Sequence, residues 1–268
     1  QIPPLSLSFW RWVLATTLLL PFVARGIWLH RATLRAASWR LPVIAALGIA
    51  SYNSLLYTAA QSTEAINLTL VNTCLPLATF LGAGFLLGEW PLRRAWFGMA
   101  VAAAGLLYLI SRGSWQTFAS LSFKAGDLIM LLAVLVWALY TLLLRRWSGF
   151  LTVPPLVLLG VLMLLGVPLI LPFYLYELSR VGGFAATPAN LGAIGYTAVF
   201  ASLIAYLAWN HGVKVVGAAK AAMASYLMPV FTALLGWLLL GEALQPFHWI
   251  GGTLIFAGLL LATRPSFR

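Results

Sequence analysis

Apolar runs of roughly twenty residues follow one another along almost the whole of this chain, and that pattern restricts the fold more than any motif in it. A run of that length crosses a hydrocarbon layer of about 30 Å as one helix. Inside lipid every backbone N–H and C=O must be satisfied internally, so only helices and closed barrels can span. A barrel would show segments of about ten residues alternating apolar and polar, and the sequence has none. The balance of residue types agrees: 62% of the 268 residues are hydrophobic and 8% charged, with a mean hydropathy of +0.97, where a soluble domain carries about 25% charged residues. The expectation is an all-α polytopic membrane protein with nine helices, at about 7–24, 41–61, 66–88, 94–111, 126–145, 154–175, 189–210, 218–240 and 247–264.

The runs are written twice. "TCLPLATFLGAGFLLGE" (73–89) returns as "YLMPVFTALLGWLLLGE" (226–242). Pro76 falls on Pro229, Gly88-Glu89 on Gly241-Glu242, Gly98 on Gly251 and Ala104-Gly105 on Ala257-Gly258, all 153 residues on and without a gap. Upstream, Pro3-Pro4 and Pro21 fall on Pro154-Pro155 and Pro172, 151 residues on. The chain therefore reads as a tandem duplication, 1–112 and 113–268. The run from about Gly126 to Arg145 has no counterpart, because its partner would lie before Gln1. The expected parent is thus a ten-helix fold of two five-helix repeats, with its first helix missing from this chain.

Five crossings per repeat force the two copies to insert in opposite senses. The basic residues fit that arrangement. If the loop carrying Arg25, Arg31, Arg35 and Arg40 is cytoplasmic, alternation puts Arg93, Arg94, Arg145, Arg146, Lys214, Lys220, Arg264 and Arg268 on the same side, twelve of the sixteen Lys and Arg. Arg11, Arg112, Lys124 and Arg180 are left for the other side, and the C-terminus is expected to be cytoplasmic. The net charge of +11 is scattered over short loops rather than gathered in a stripe, so nucleic acid is not expected as a partner. A lone Cys74 cannot form an intrachain disulfide.

The inventory for catalysis is poor. Glu64, Glu89, Asp127, Glu177 and Glu242 fall at predicted helix ends, His30, His211 and His248 are far apart, and no Gly-x-Ser-x-Gly, HExxH or phosphate-loop pattern occurs. No catalytic residue, metal or cofactor is expected. No acidic relay crosses the spans either, so a carrier of this kind would run uncoupled or couple through a less visible group such as His211 or Lys214.

Within the spans the polar groups are neutral or aromatic. Asn53 and Tyr57 share a helix face, as do Ser202, Tyr206 and Asn210, and the offset of 153 lays Asn53 on Tyr206 and Tyr57 on Asn210. They read either as facing walls of one cavity or as hydrogen-bonding glue between helices. Pro76 and Pro229 should kink their helices and free the carbonyls of Asn72 and Ser225, beside a substrate site or simply to shape packing. Trp137 and Tyr140 could form an aromatic wall or anchor the helix at the membrane interface. Each Gly-Glu ends a helix, with Glu89 in reach of Arg93, and is assigned to folding. Glycines 82, 84, 98, 105, 251, 252 and 258 are expected to permit close helix contact.

The doubled pattern P-x(11)-G-E with G-x(6)-G, at Pro76, Gly88, Glu89, Gly98 and Gly105 and again at Pro229, Gly241, Glu242, Gly251 and Gly258, resembles the EamA-type carriers of the drug/metabolite transporter superfamily. The opening "PPLSLSFWRWVLATTLLLP", with its Arg11, looks like that family's second helix. The resemblance covers essentially the whole chain and is nearest to the YddG-type amino-acid exporters. It implies ten helices in two inverted repeats, cytoplasmic termini, and export of small metabolites across a bacterial inner membrane. It also implies a cavity on the helices carrying Tyr52, Asn53, Tyr57, Asn72, Trp137, Tyr140, Tyr206, Asn210, Ser225 and Tyr226. The function expected is a monomeric exporter of amino acids, aromatic ones included, and related small metabolites. A multidrug or organic-cation exporter, which would favour a buried acidic counter-charge, and a non-transporting scaffold are the rivals.

Overall fold

In the computed structural model, which describes residues 2–114, 116, 122 and 124–263, nine helices are long and apolar enough to cross a membrane. They are α1 (Pro4–Leu29), α2 (Arg40–Ala59), α3 (Ala65–Leu87), α4 (Arg93–Ile110), α5 (Ala125–Arg146), α6 (Pro155–Val181), α7 (Pro188–Val216), α8 (Ala218–Leu239) and α9 (Pro246–Thr263). α1, α6 and α7 run five or six residues past the expected ends, because polar residues such as Arg25, Glu177, His211 and Lys214 continue a helix after it has left the apolar layer. Arg264 and Arg268 lie outside the described residues.

The protein is an all-α polytopic membrane protein of two inverted repeats: α1–α4 correspond to α6–α9, and α5 has no counterpart among the described residues. The inversion is visible where equivalent helices touch. On α4 and α9 a Cβ at Gly98 would lie 2.5 Å from the Gly258 carbonyl oxygen, and one at Gly105 would lie 2.8 Å from that of Gly251. Numbers rise along one helix as they fall along the other, so the pair is antiparallel, and the two contacts are copies of each other. α1 and α6 behave alike: Phe9 stacks on Tyr174 with ring centroids 4.5 Å apart, and Val23 sits over Gly160. Gly252 departs from the expected role, since open space lies beside its Cα.

The repeated Gly-Glu ends its helix by backbone geometry. Gly88 and Gly241 both adopt φ of 70°, a left-handed cap that glycine reaches without steric cost. The next N–H then turns back, Glu89 N donating to Ala83 O at 3.0 Å and Glu242 N to Gly236 O at 3.2 Å. The Glu89 side chain goes to Arg145 at 3.1 Å rather than to Arg93, because the left-handed turn aims it at the end of α5.

Four of the spans are interrupted, and the interruptions come in repeat-equivalent pairs. α3 breaks at Thr73, between Ala65–Asn72 and Cys74–Leu87; α8 passes through a 3₁₀ turn, Ala224–Leu227, before Met228. Both breaks lie just ahead of the prolines, as a missing N–H dictates. α2 and α7 instead carry π-helical segments, Ala46–Ser51 and Thr197–Ile204. Such segments leave carbonyls out of the i→i+4 ladder and cluster at functional sites.

Candidate functional site

The two π segments expose repeat-equivalent carbonyls, Gly48 and Ala201, and each is taken by a side chain from elsewhere. The Tyr206 hydroxyl donates to Gly48 O at 2.6 Å, and the Arg11 guanidinium donates to Ala201 O at 3.1 Å. Tyr206 also accepts from Asn53 Nδ2 at 2.8 Å, so two residues that occupy the same place in the two repeats touch, which marks the pseudo-twofold axis. Asn53 is too short to repeat on Ala201 what Tyr206 does on Gly48. Arg11 fills that place instead. It donates through Nε to Ser202 Oγ at 2.8 Å, and through Nη1 to Asn53 Oδ1 at 3.0 Å and to the Tyr57 hydroxyl.

Arg11 is 2% exposed, well inside α1. The charge count leaves it on the outer side although it falls inside the 7–24 run; the structure encloses it there and makes it the centre of a clasp between the two repeats. The signal was available in the sequence, as an arginine inside an apolar run is a site candidate whatever its loop bookkeeping.

An aromatic layer packs against this clasp. Trp137 stands 4.5 Å from Tyr52, 4.9 Å from Tyr140, 5.2 Å from Tyr206 and 5.3 Å from Trp209, ring centre to ring centre. Tyr140 donates to Asn210 Oδ1 at 2.7 Å, and its ring lies so close over Gly48 that any side chain there would collide with it. In this conformation the two mirrored polar faces therefore bond to each other instead of standing apart as cavity walls. Asn53, Tyr57, Trp137, Tyr140 and Tyr206 are packed into the centre, and Asn210 borders a crevice of about 40 Å³ beside Ser148 and Lys214.

Open space lies towards both ends of the bundle. Towards one end, Tyr52, Asn72, Ser225, Tyr226 and Pro229 line a vestibule of about 480 Å³ whose rim carries Arg112, Glu242 and His248. Towards the other end, a pocket of about 240 Å³ is lined by Phe80, Glu89, Arg94, Ala95, Ala218 and Ala219. The pockets are copies: Glu242 corresponds to Glu89, His248 to Ala95, Ala233 to Phe80, and Ala65 and Ile66 to Ala218 and Ala219. Pro76 is buried beneath the break in α3. Behind the larger vestibule the Tyr226 hydroxyl donates to Thr73 O at 3.0 Å, a second contact between repeat equivalents. The carbonyl that takes this side-chain donor is that of Thr73, the residue after Asn72, whose own carbonyl is the one that Pro76 leaves without its helical donor. The Asn72 side-chain oxygen is buried with no partner among the described residues.

Among the described residues no group of three or more His, Cys, Asp or Glu could hold a metal. The acids are engaged structurally: Asp127 accepts from Asn67 and Lys124 N at the start of α5, and Glu177 accepts from Leu5 N and Ser6 N at the start of α1.

Comparison with known proteins places the chain. The sequence model of the EamA-like transporter family matches residues 1–111 and 124–264. The uncharacterized transporter YyaM of Bacillus subtilis is 30% identical over 261 residues, covering 97% of this chain and 84% of that protein. An uncharacterized transporter of Archaeoglobus fulgidus is 29% identical over 278 residues, covering 98% and 89%. The uncharacterized inner membrane transporter YedA of Escherichia coli K12 is 30% identical over 266 residues, covering 97% and 81%. One solved crystal structure superposes with a TM-score of 0.78 at 21% identity, covering 98% of this chain and 88% of that one, and so shares the fold. By family model and by full-length relatives, the chain belongs to the EamA-like transporter family.

Proposed function

We propose that this transporter exports amino acids, aromatic ones included, and related small metabolites by alternating access, the halves 1–112 and 113–268 rocking against each other. One observation carries the reading: two vestibules related by the repeat lie at opposite ends of the bundle, unequal at about 480 and 240 Å³, with a buried apolar cluster that holds Phe80, Leu106, Met223 and Tyr226 between their linings. Exchanging the conformations of two inverted repeats exchanges which end is open, so the wider vestibule marks the open side. The excess of Lys and Arg at the end carrying the narrower pocket supports a cytoplasmic position for that end; on this reading the wide vestibule faces outward across a bacterial inner membrane, with the C-terminus inside.

Amino acids suit the lining. Asn72 offers an unpartnered carbonyl oxygen to an ammonium group, Tyr52 and Tyr226 offer aromatic surface, and the rim carries both signs of charge. Ser225 already lines the wide vestibule, and Asn53, Tyr57, Trp137, Tyr140, Tyr206 and Asn210 would meet substrate as the clasp opens. A single chain encloses both vestibules, which favours a monomer.

The test is efflux of labelled amino acids from vesicles containing the purified protein, with and without a pH gradient. Efflux above that of empty vesicles supports the reading. Equal leak refutes it, and efflux of organic cations alone would favour the multidrug alternative.

A further inference from the structure

We propose that Arg11 is the receptor for the substrate's carboxylate, held shut in this conformation by neutral acceptors that a carboxylate displaces. The inference deepens the export reading and rests on it for the identity of the substrate.

A guanidinium keeps its charge in any protein environment. Burying it is costly unless an anion or a full set of hydrogen bonds compensates. Arg11 has the hydrogen bonds without the anion. Its partners are the Ser202 and Tyr57 hydroxyls, the Asn53 amide oxygen and the Ala201 carbonyl, all neutral. Among the described residues no carboxylate reaches it. Asp127 and Glu177 are tied to backbone N–H groups at helix starts, Glu64 pairs with Lys124, Glu89 pairs with Arg145, and Glu242 stands at the vestibule rim. The centre of the bundle therefore keeps one positive charge that is hydrogen-bonded but has no anion beside it among the described residues.

A carboxylate is the natural competitor for it. Charge-assisted, bidentate guanidinium–carboxylate bonds are shorter and roughly twice as strong as bonds to neutral oxygens. Arg11 is closed off in this conformation, and the route proposed for the acid follows α2. Tyr52 and Leu56 line the wide vestibule, and the next residues, Asn53 and Tyr57, hold Arg11. A carboxylate that takes the guanidinium away from them cuts α2 loose from Arg11. Because Arg11 also bridges to Ser202 and Ala201 of the opposite repeat, the same exchange loosens the joint between halves. Binding of the acid group and release of the clasp are then one event, and organic cations are rejected at the same place by like charge.

The experiment compares an aromatic amino acid with its primary amide, which keeps the ammonium and ring but lacks the negative charge. Two readouts are taken on the full chain, transport in vesicles and quenching of tryptophan fluorescence in detergent. The second includes a reporter beside the site among the twelve tryptophans, since the Arg11 guanidinium lies 5.0 Å from the Trp12 ring. The wild type should favour the acid over the amide by at least about tenfold in both readouts. Arg11→Gln, which keeps hydrogen-bonding capacity, should erase that preference, and Arg11→Lys should retain part of it. Should Arg11→Gln not fold, the wild-type acid/amide ratio and Arg11→Lys still decide. Equal response to acid and amide in the wild type overturns the proposal, as does a variant that loses both ligands in equal proportion. Quenching selective for the acid without any transport would support the carboxylate site while refuting the export reading.

Discussion

The α4–α9 crossing supplies a prediction whose size follows from the coordinates. A Cβ at Gly98 would sit 2.5 Å from Gly258 O and 2.6 Å from Ala262 N, whereas ordinary contact begins at 3.4 Å. Both obstructing atoms are backbone, so no rotamer relieves the clash and the helices must part by about 0.9 Å. A gap of that size forfeits roughly a quarter to a half of each dispersion contact along the seam, and overpacking of this kind costs about 1–3 kcal/mol. The gain in helix propensity from Gly to Ala, about 1 kcal/mol, offsets part of it. Gly252→Ala is the control: it sits on the same helix, faces open space, and should be neutral or stabilising by up to about 1 kcal/mol. Thermal or denaturant unfolding of the purified protein in a fixed detergent measures the difference, expected at about 2 kcal/mol. Gly258→Ala should match Gly98→Ala, since its Cβ meets Gly98 O and Ala102 N at 2.5 Å. The double variant should cost less than twice either single, because one separation accommodates both methyl groups. Equal stability of Gly98→Ala and Gly252→Ala, or strict additivity of the pair, would refute the reasoning.

Three further outcomes are expected. Tyr206→Phe strips Gly48 O of its donor and Asn53 Nδ2 of its acceptor; it should cost about 1–3 kcal/mol in unfolding and lower efflux in vesicles more than it lowers abundance in the membrane. Gly241→Ala forces a Cβ into φ of 70° and should destabilise by about 1–2 kcal/mol in the same unfolding assay, with no clash contributing because the site is open. Glu89→Gln breaks the partly exposed ion pair with Arg145; it should change stability by less than about 1 kcal/mol, and an effect that grows with added salt would contradict the assignment.

The spans were legible because lipid imposes a length and a polarity on every helix that crosses it, and the duplication was legible because prolines and glycines mark backbone events that survive divergence of the side chains. The α4–α9 crossing could be anticipated from Gly98, Gly105, Gly251 and Gly258 for the same reason. What stayed hidden depends on which surfaces meet. Asn53 and Tyr206 could be matched by number, but that they bond to each other follows from where the axis falls, which no periodicity encodes. The π segments carry no Gly-Pro signature, and Ala46–Ser51 reads as ordinary helix. Glu89 has Arg93 four residues away and Arg145 far along the chain, so local spacing favoured the wrong partner. Arg11 could be placed within a span, but a count of charges by side says nothing of its partners, and it is enclosed by α1, α2 and α7.

The hydrogen bond between Asn53 and Tyr206 has a consequence for ancestry. In a symmetric pair of separate identical subunits, any residue on the dyad would confront its own twin, and the two could change only together. Fusing both copies into one gene removes that constraint first at the dyad, where an amide can now face a phenol and a lone guanidinium can serve one side. Functional asymmetry in such a molecule is therefore cheapest to evolve at its centre, and substitutions that separate related transporters should concentrate there before they reach the lipid-facing helices.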